Sequence, residues 1–163
     1  MYLPDGSEHH LRLPGCSSDE TASVFCVVGN RDHTLFAAIT SSSIYIFLSD
    51  TQLLTCVFRR SVADVEEKGE YRLLYWRQDS SALCVTTSQN YLLIYRIESS
   101  DKQLYNLIEP KDEELRRASQ ELFIKAKRPK IQIALSVVAR LNSIATCVVA
   151  LREEIFICLQ NGW

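Results

Sequence analysis

Arg31-Asp32-His33-Thr34-Leu35-Phe36-Ala37-Ala38-Ile39-Thr40-Ser41 and Gln78-Asp79-Ser80-Ser81-Ala82-Leu83-Cys84-Val85-Thr86-Thr87-Ser88 are two copies of one pattern. Each is a polar turn carrying an aspartate, then a short apolar run, then a second polar turn. Each leads into another apolar run, Ile44-Tyr45-Ile46-Phe47 in the first copy and Leu92-Leu93-Ile94-Tyr95 in the second. Asp32 and Asp79 lie 47 residues apart, and the second turn differs by one residue between copies. The runs are rich in Val, Ile, Tyr, Phe and Thr and the breaks hold Gly, Asn, Asp and Ser, which is the chemistry of strands and tight turns.

Working outward, each copy gains a strand on either side. Val24-Phe25-Cys26-Val27-Val28 precedes the first and Tyr71-Arg72-Leu73-Leu74-Tyr75-Trp76 the second. Leu53-Leu54-Thr55-Cys56-Val57-Phe58 and Gln103-Leu104-Tyr105-Asn106-Leu107-Ile108 follow them as outer strands. Four strands in a unit of this period are the make-up of a propeller blade, whose repeat runs to roughly 40–50 residues. A third copy is worn. Ile131, Ile133, Leu135 and Val137 alternate with Gln132, Ala134 and Ser136 as in a half-buried strand, and residues 144–150 and 155–159 make a hairpin around Arg152-Glu153-Glu154.

The fold class predicted is therefore all-β: a partial, WD-like β-propeller of about three four-stranded antiparallel blades. Residues 22–60 form the first blade, 69–109 the second, 110–130 a partly helical insertion, and 131–163 the worn third. In the insertion Asp112, Glu113 and Glu114 precede Lys125, Lys127 and Arg128, an order that suits a helix dipole. Leu115, Ala118, Leu122 and Ala126 recur near helical spacing and Pro129 would stop the helix. It reads as a solvated loop with partial helix, or more sharply as a docking helix or a basic contact to phosphate-bearing membrane. Propellers remove open strand edges by closing a ring, so a three-blade chain by itself is predicted to be sticky or unstable.

The composition narrows function. The 163 residues are 47% hydrophobic and 23% charged, with a formal net charge of −2. No global basic field recruits nucleic acid or an anionic surface. The longest apolar runs fall far short of the roughly 20 residues that span a bilayer. The opening residues lack a basic stretch followed by an apolar one, so no secretory signal is expected. Of the six cysteines, Cys16, Cys26, Cys56, Cys84, Cys147 and Cys158, none are spaced as CxxC and most sit in apolar runs. They read as buried thiols in a reducing compartment.

Catalytic chemistry needs convergent titratable groups. His9 and His10 fall in a polar arm and His33 in a turn, none at metal-ligand spacing from Cys or carboxylate. The five glycines form no phosphate loop, and no GxSxG elbow occurs. Asp79-Ser80 reads as a turn whose side chains bond backbone amides. Tyr75 and Trp76 read as aromatics filling space between blades, with a partner anchor as the alternative for an exposed Trp. No catalytic, cofactor-binding or metal site is predicted, nor any cofactor; the expectation is a non-catalytic, cytosolic interaction module.

One stretch resembles a known family. Gly69, Tyr71, Trp76, Arg77, Asp79 and Ser80, within the run from Gly69 to Ser88, match in place the second-blade motif of the Ric-one proteins ("ribosome control protein one"). Met1-Tyr2 with Gly6, and Tyr105 and Pro110, also stand about where that family has them. Gln78 replaces its usual proline, Asn90 stands before Tyr91 where it favours glycine, and its early Gly-Trp-Pro reads Gly6-Ser7-Glu8 here. The resemblance implies the N-terminal part of a much longer chain. It implies the large subunit of an exchange factor for the Rab-six GTPase, with an Rgp-one-type partner subunit. It implies a role in retrograde transport to the Golgi and peripheral contact with Golgi membrane. A generic WD-type scaffold of another assembly is the alternative.

Overall fold

The two copies fold as two four-stranded antiparallel meanders. The computed structural model describes residues 13, 23–49, 52–99, 131–151 and 154–162. The first sheet runs β1 (Cys26–Gly29), β2 (Leu35–Ile39), β3 (Ser43–Leu48) and β4 (Leu54–Arg59), in that spatial order. A short helix, α1 (Val62–Lys68), leads into the second sheet: β5 (Tyr71–Trp76), β6 (Ala82–Thr87), β7 (Tyr91–Ser99) and β8 (Ile131–Arg140). A hairpin of β9 (Ala145–Leu151) and β10 (Glu154–Leu159) follows.

The 47-residue repeat is exact in its turn chemistry. Between β1 and β2, Asn30 N–H donates to Leu35 O and His33 N–H to Asn30 O. Between β5 and β6, Arg77 N–H donates to Ala82 O and Ser80 N–H to Arg77 O, the same two bonds moved 47 residues along. His33 and Ser80 both sit at positive φ, 55° and 60°. At the β2–β3 and β6–β7 turns, Thr40 and Thr87 each accept a backbone N–H on Oγ1, from Ser43 and Tyr91. The one-residue difference in turn length is thus absorbed without losing the bond.

Strands β2, β3 and β6 are buried on both faces, so they read as continuous apolar runs and not as alternations. Leu35, Ile39, Ile44 and Ile46 of the first sheet share one core with Tyr71, Leu74, Leu83, Val85, Leu93 and Tyr95 of the second. On the far face of the first sheet Phe36 and Phe47 stack at 4.8 Å, with Leu13 and Leu54 packed against their cluster. The hairpin lies against the other side of the second sheet, β9 touching β5, and Val148 is buried there.

One sequence expectation needs revising. Ile131, Ile133, Leu135 and Val137 do form a strand, but it pairs along β7, from Tyr91↔Arg140 to Ser99↔Ile131, as the fourth strand of the second sheet. Period-2 alternation marks a half-buried strand without saying which neighbour it meets. The third unit is accordingly β9 and β10 among the described residues. Residues 103–108, read as that outer strand, and the insertion 110–130 lie outside the described residues. Helix α1 was not anticipated, although Ser61-Val62-Ala63-Asp64 has capping-box spacing: Ser61 Oγ accepts Asp64 N–H at 3.2 Å.

Candidate interaction framework

Of the residues singled out by the sequence, Trp76 and Ser80 lie at the junction between the two sheets. Trp76, at the end of β5, is buried, and its Nε1–H donates to the Val28 carbonyl of β1 at 2.9 Å. It packs between the sheets, as anticipated for a large aromatic at a strand end. Beside it, Asn30 Nδ2–H donates to Thr34 Oγ1 at 3.0 Å and, across the junction, to Ser80 Oγ at 3.2 Å. Asn30 Oδ1 accepts Leu35 N–H at 3.0 Å. Ser80 has no exposed surface, so this polar pair is a buried link between equivalent turns.

Asp79 does what turn aspartates do. Its Oδ1 accepts Ser81 N–H at 3.0 Å and Ser81 Oγ–H at 2.6 Å, while Oδ2 faces Arg77 Nε at 3.5 Å. His33 occupies the matching turn of the first sheet, and His9, His10 and Cys16 lie outside the described residues.

At the opposite rim, α1 is held in a clamp that sequence reading missed. Arg60, its side chain buried, donates to the Asp64 carboxylate, to Asp64 O at 2.7 Å and to Gly69 O at 2.7 Å. The guanidinium also lies 4.8 Å from the centre of the Tyr71 ring. Lys68 pairs with the same carboxylate, Thr87 Oγ1 donates to Lys68 O, and Gln89 Nε2 donates to Glu66 O at 3.1 Å. Tyr71 N–H reaches back to Ser41 O of the first sheet at 2.9 Å. Gly69 has φ 80°, and a Cβ there would meet Ser88 Oγ and stand 2.7 Å from Gln89 N.

Titration behaviour follows burial. Desolvation raises the Tyr71 and Tyr95 hydroxyls, which share a 2.5 Å hydrogen bond, and pushes the Cys84 thiol up to about 11. Burial also works to raise the Asp64 carboxyl, but hydrogen bonds from Lys68 and Arg60 outweigh it and hold it below the usual carboxylate range. Among the described residues no group of three or more His, Cys, Asp or Glu is placed to hold a metal ion. Nor, among them, is any helix long and apolar enough to cross a membrane.

The matched residues of the motif from Gly69 to Ser80 thus serve the framework itself, as a positive-φ turn, a buried phenol, an inter-sheet indole bond and a capped turn. Exposed surfaces lie at the margin of this framework. On the outward face of the hairpin, Val149 and Phe156 lie directly opposite each other and are 49% and 45% exposed. Between the hairpin and the second sheet is a cleft of about 540 Å³, bounded by Ala82, Ile94 and Val137, by Arg77 and Arg96, and by Ile155 of β10.

No family model matches the chain. Relatives do. A guanine nucleotide exchange factor subunit of Caenorhabditis elegans is 39% identical over 166 residues, covering 100% of this chain and 11% of the relative. The human guanine nucleotide exchange factor subunit RIC1 is 22% identical over 164 residues, covering 99% of this chain and 11% of the human protein. The chain therefore spans about a ninth of the length of these relatives. Among solved structures, the WD40 domain of SCAP from fission yeast superposes with a TM-score of 0.53 at 9% identity, over 86% of this chain and 28% of that one. That likeness concerns the fold alone, a propeller of which these sheets are part.

Proposed function

Because the chain belongs to the Ric1 family of guanine nucleotide exchange factor subunits, we propose that it is a non-catalytic propeller scaffold within a Rab exchange complex. In this reading the complex acts in Golgi vesicle trafficking, in retrograde transport to the Golgi, and the chain is cytosolic with peripheral contact to Golgi membrane. Its partners are an Rgp-one-type subunit and a Rab-six-type GTPase. The observation that carries the reading is the match to the Caenorhabditis elegans subunit along the whole chain.

The mechanism is one of binding. Nucleotide exchange makes no covalent bond; a factor lowers the free energy of the nucleotide-free GTPase relative to the nucleotide-bound form, by binding the former more tightly. A scaffold contributes by holding surfaces at fixed separation, which the buried Asn30–Ser80 and Trp76–Val28 links between sheets support. Co-purification tests the reading. The tagged 163-residue chain should retain the partner subunit and the GTPase, and a long relative such as human RIC1 should lose at least one of them when the segment matching this chain is removed. Undiminished binding of both after that deletion would count against it, and would favour the alternative of a WD-type scaffold serving another assembly.

A further inference from the structure

The hairpin carries a pair of cysteines that the scaffold reading leaves unused. Cys147 of β9 and Cys158 of β10 are direct cross-strand partners. They lie two residues from Val149 and Phe156 on the same face, because strand side chains alternate with a period of two. That is the outward face: Phe156 is 45% exposed, Cys158 is exposed and Cys147 half-buried. The other described cysteines have no such neighbour. Cys26 stands opposite Ile39, Cys56 opposite Ile46, and the buried Cys84 between Tyr75 and Ile94.

Directly opposed residues in antiparallel strands have Cα atoms roughly 4.5 or 5.5 Å apart. Both separations fall inside the roughly 4.4–6.8 Å that a disulfide bridges. The geometry points to Cys147 and Cys158 as a cross-strand dithiol that closes to a disulfide by exchange with a small-molecule disulfide such as oxidised glutathione. In the first step one thiolate attacks a glutathione sulfur, forming a mixed disulfide and releasing one reduced glutathione. In the second, the facing thiolate attacks the protein sulfur of that mixed disulfide and expels the other. Two protein thiols lose two electrons to oxidised glutathione, and the two protons leave on the two glutathione thiols. An accessible disulfide on a two-stranded edge belongs to the readily reduced, regulatory class. Closing it staples β10 to β9 and fixes the register of the apolar face beside it.

The 163-residue chain incubated with oxidised glutathione, acid-quenched, alkylated and digested with trypsin gives the test, since Arg152 lies between the two cysteines. The expected product is a disulfide joining residues 141–152 to residues 153–163, with the intact chain lighter by two hydrogens. In Cys147→Ser or Cys158→Ser the remaining thiol should instead keep one glutathione. Amide exchange across β9 and β10 should slow on oxidation and recover with dithiothreitol. Persistent glutathione adducts on both cysteines, or closure onto Cys56 or Cys84, would overturn the assignment. The wild-type peptide map decides the matter by itself if a serine variant folds poorly.

Discussion

The indole N–H of Trp76 donates at 2.9 Å to the carbonyl of Val28, joining residues 48 positions apart and tying the first strand of one sheet to the first strand of the next. Trp76 is 7% exposed and Val28 half-buried, so water replaces this bond only in part. Trp76→Phe keeps an aromatic ring there but leaves Val28 O unpaired. A buried polar group that loses its partner costs about 1–3 kcal/mol. Urea unfolding followed by circular dichroism should show a loss in that range, with the two sheets still formed in the native baseline.

Gly69 is the tightest backbone position among the described glycines. Its φ of 80° disfavours any side chain, and a Cβ would press on Ser88 Oγ and on the backbone N of Gln89, which cannot swing aside. Gly69→Ala therefore combines conformational strain with displacement of the β6–β7 turn, and should destabilise by about 2 kcal/mol or more. Arg60, whose Nη1–H bonds Gly69 O, should lose that bond as the turn shifts. Thermal unfolding compares the variant with Glu70→Ala, an exposed neighbour expected to be nearly neutral.

Much of this was legible beforehand, and the reason is local. Asp32 and Asp79 mark turns because aspartate favours them, as Asp79 does by accepting Ser81 N–H, and the apolar runs after them are strands because their length and composition leave little else. Trp76 between sheets followed from size and position. Helix α1 escaped although its cap is local; the rest of what escaped was decided by partners distant in sequence. The β7–β8 pairing spans the interval from Ser99 to Ile131, and no alternation in Ile131-Gln132-Ile133-Ala134 states which edge it joins. Arg60 reads as one more charged residue at a strand end; only the fold puts Gly69 O, Asp64 and the Tyr71 ring around it. Asn30 and Ser80 are likewise ordinary turn residues until the sheets stack.

The Asp64 carboxyl, held below its ordinary range by Lys68 and Arg60 against the opposing pull of burial, contributes pH-dependent stability. Its folded-state pKa is lower than its unfolded one. The contribution is thus fully present above the unfolded value, about 3.9, and is lost as pH falls through the folded value. Asp64→Asn should cost about 1 kcal/mol at neutral pH. It should also flatten the fall in stability below about pH 4, as read by denaturant midpoints at a series of pH values.

Asn90 is a position where substitution should help. It holds φ 63°, and its buried Oδ1 has no hydrogen-bond partner. Glycine adopts that backbone without strain and removes the unpaired oxygen, at the cost of a more flexible unfolded chain. Asn90→Gly should raise stability by about 0.5–1 kcal/mol, visible as a higher urea midpoint at unchanged slope. A drop would mean that the Asn90 side chain is satisfied in solution by water.

The hairpin sets the behaviour of the chain in isolation. Val149, Phe156 and Ile144 are 49%, 45% and 54% exposed, and among the described residues β10 has a strand on one side only. An apolar face beside an unpaired edge is a template for association, since another strand can satisfy the backbone while burying the side chains. The chain should self-associate as concentration rises, which sedimentation velocity measures directly. Phe156→Lys places a charge in the middle of that face without touching the shared core, and should shift the equilibrium toward monomer at least several-fold. The outward-facing amides of β10 should then exchange faster, because the association that protected them is gone. A wild-type chain that stays monodisperse at high concentration and melts cooperatively would show that the edge is already covered.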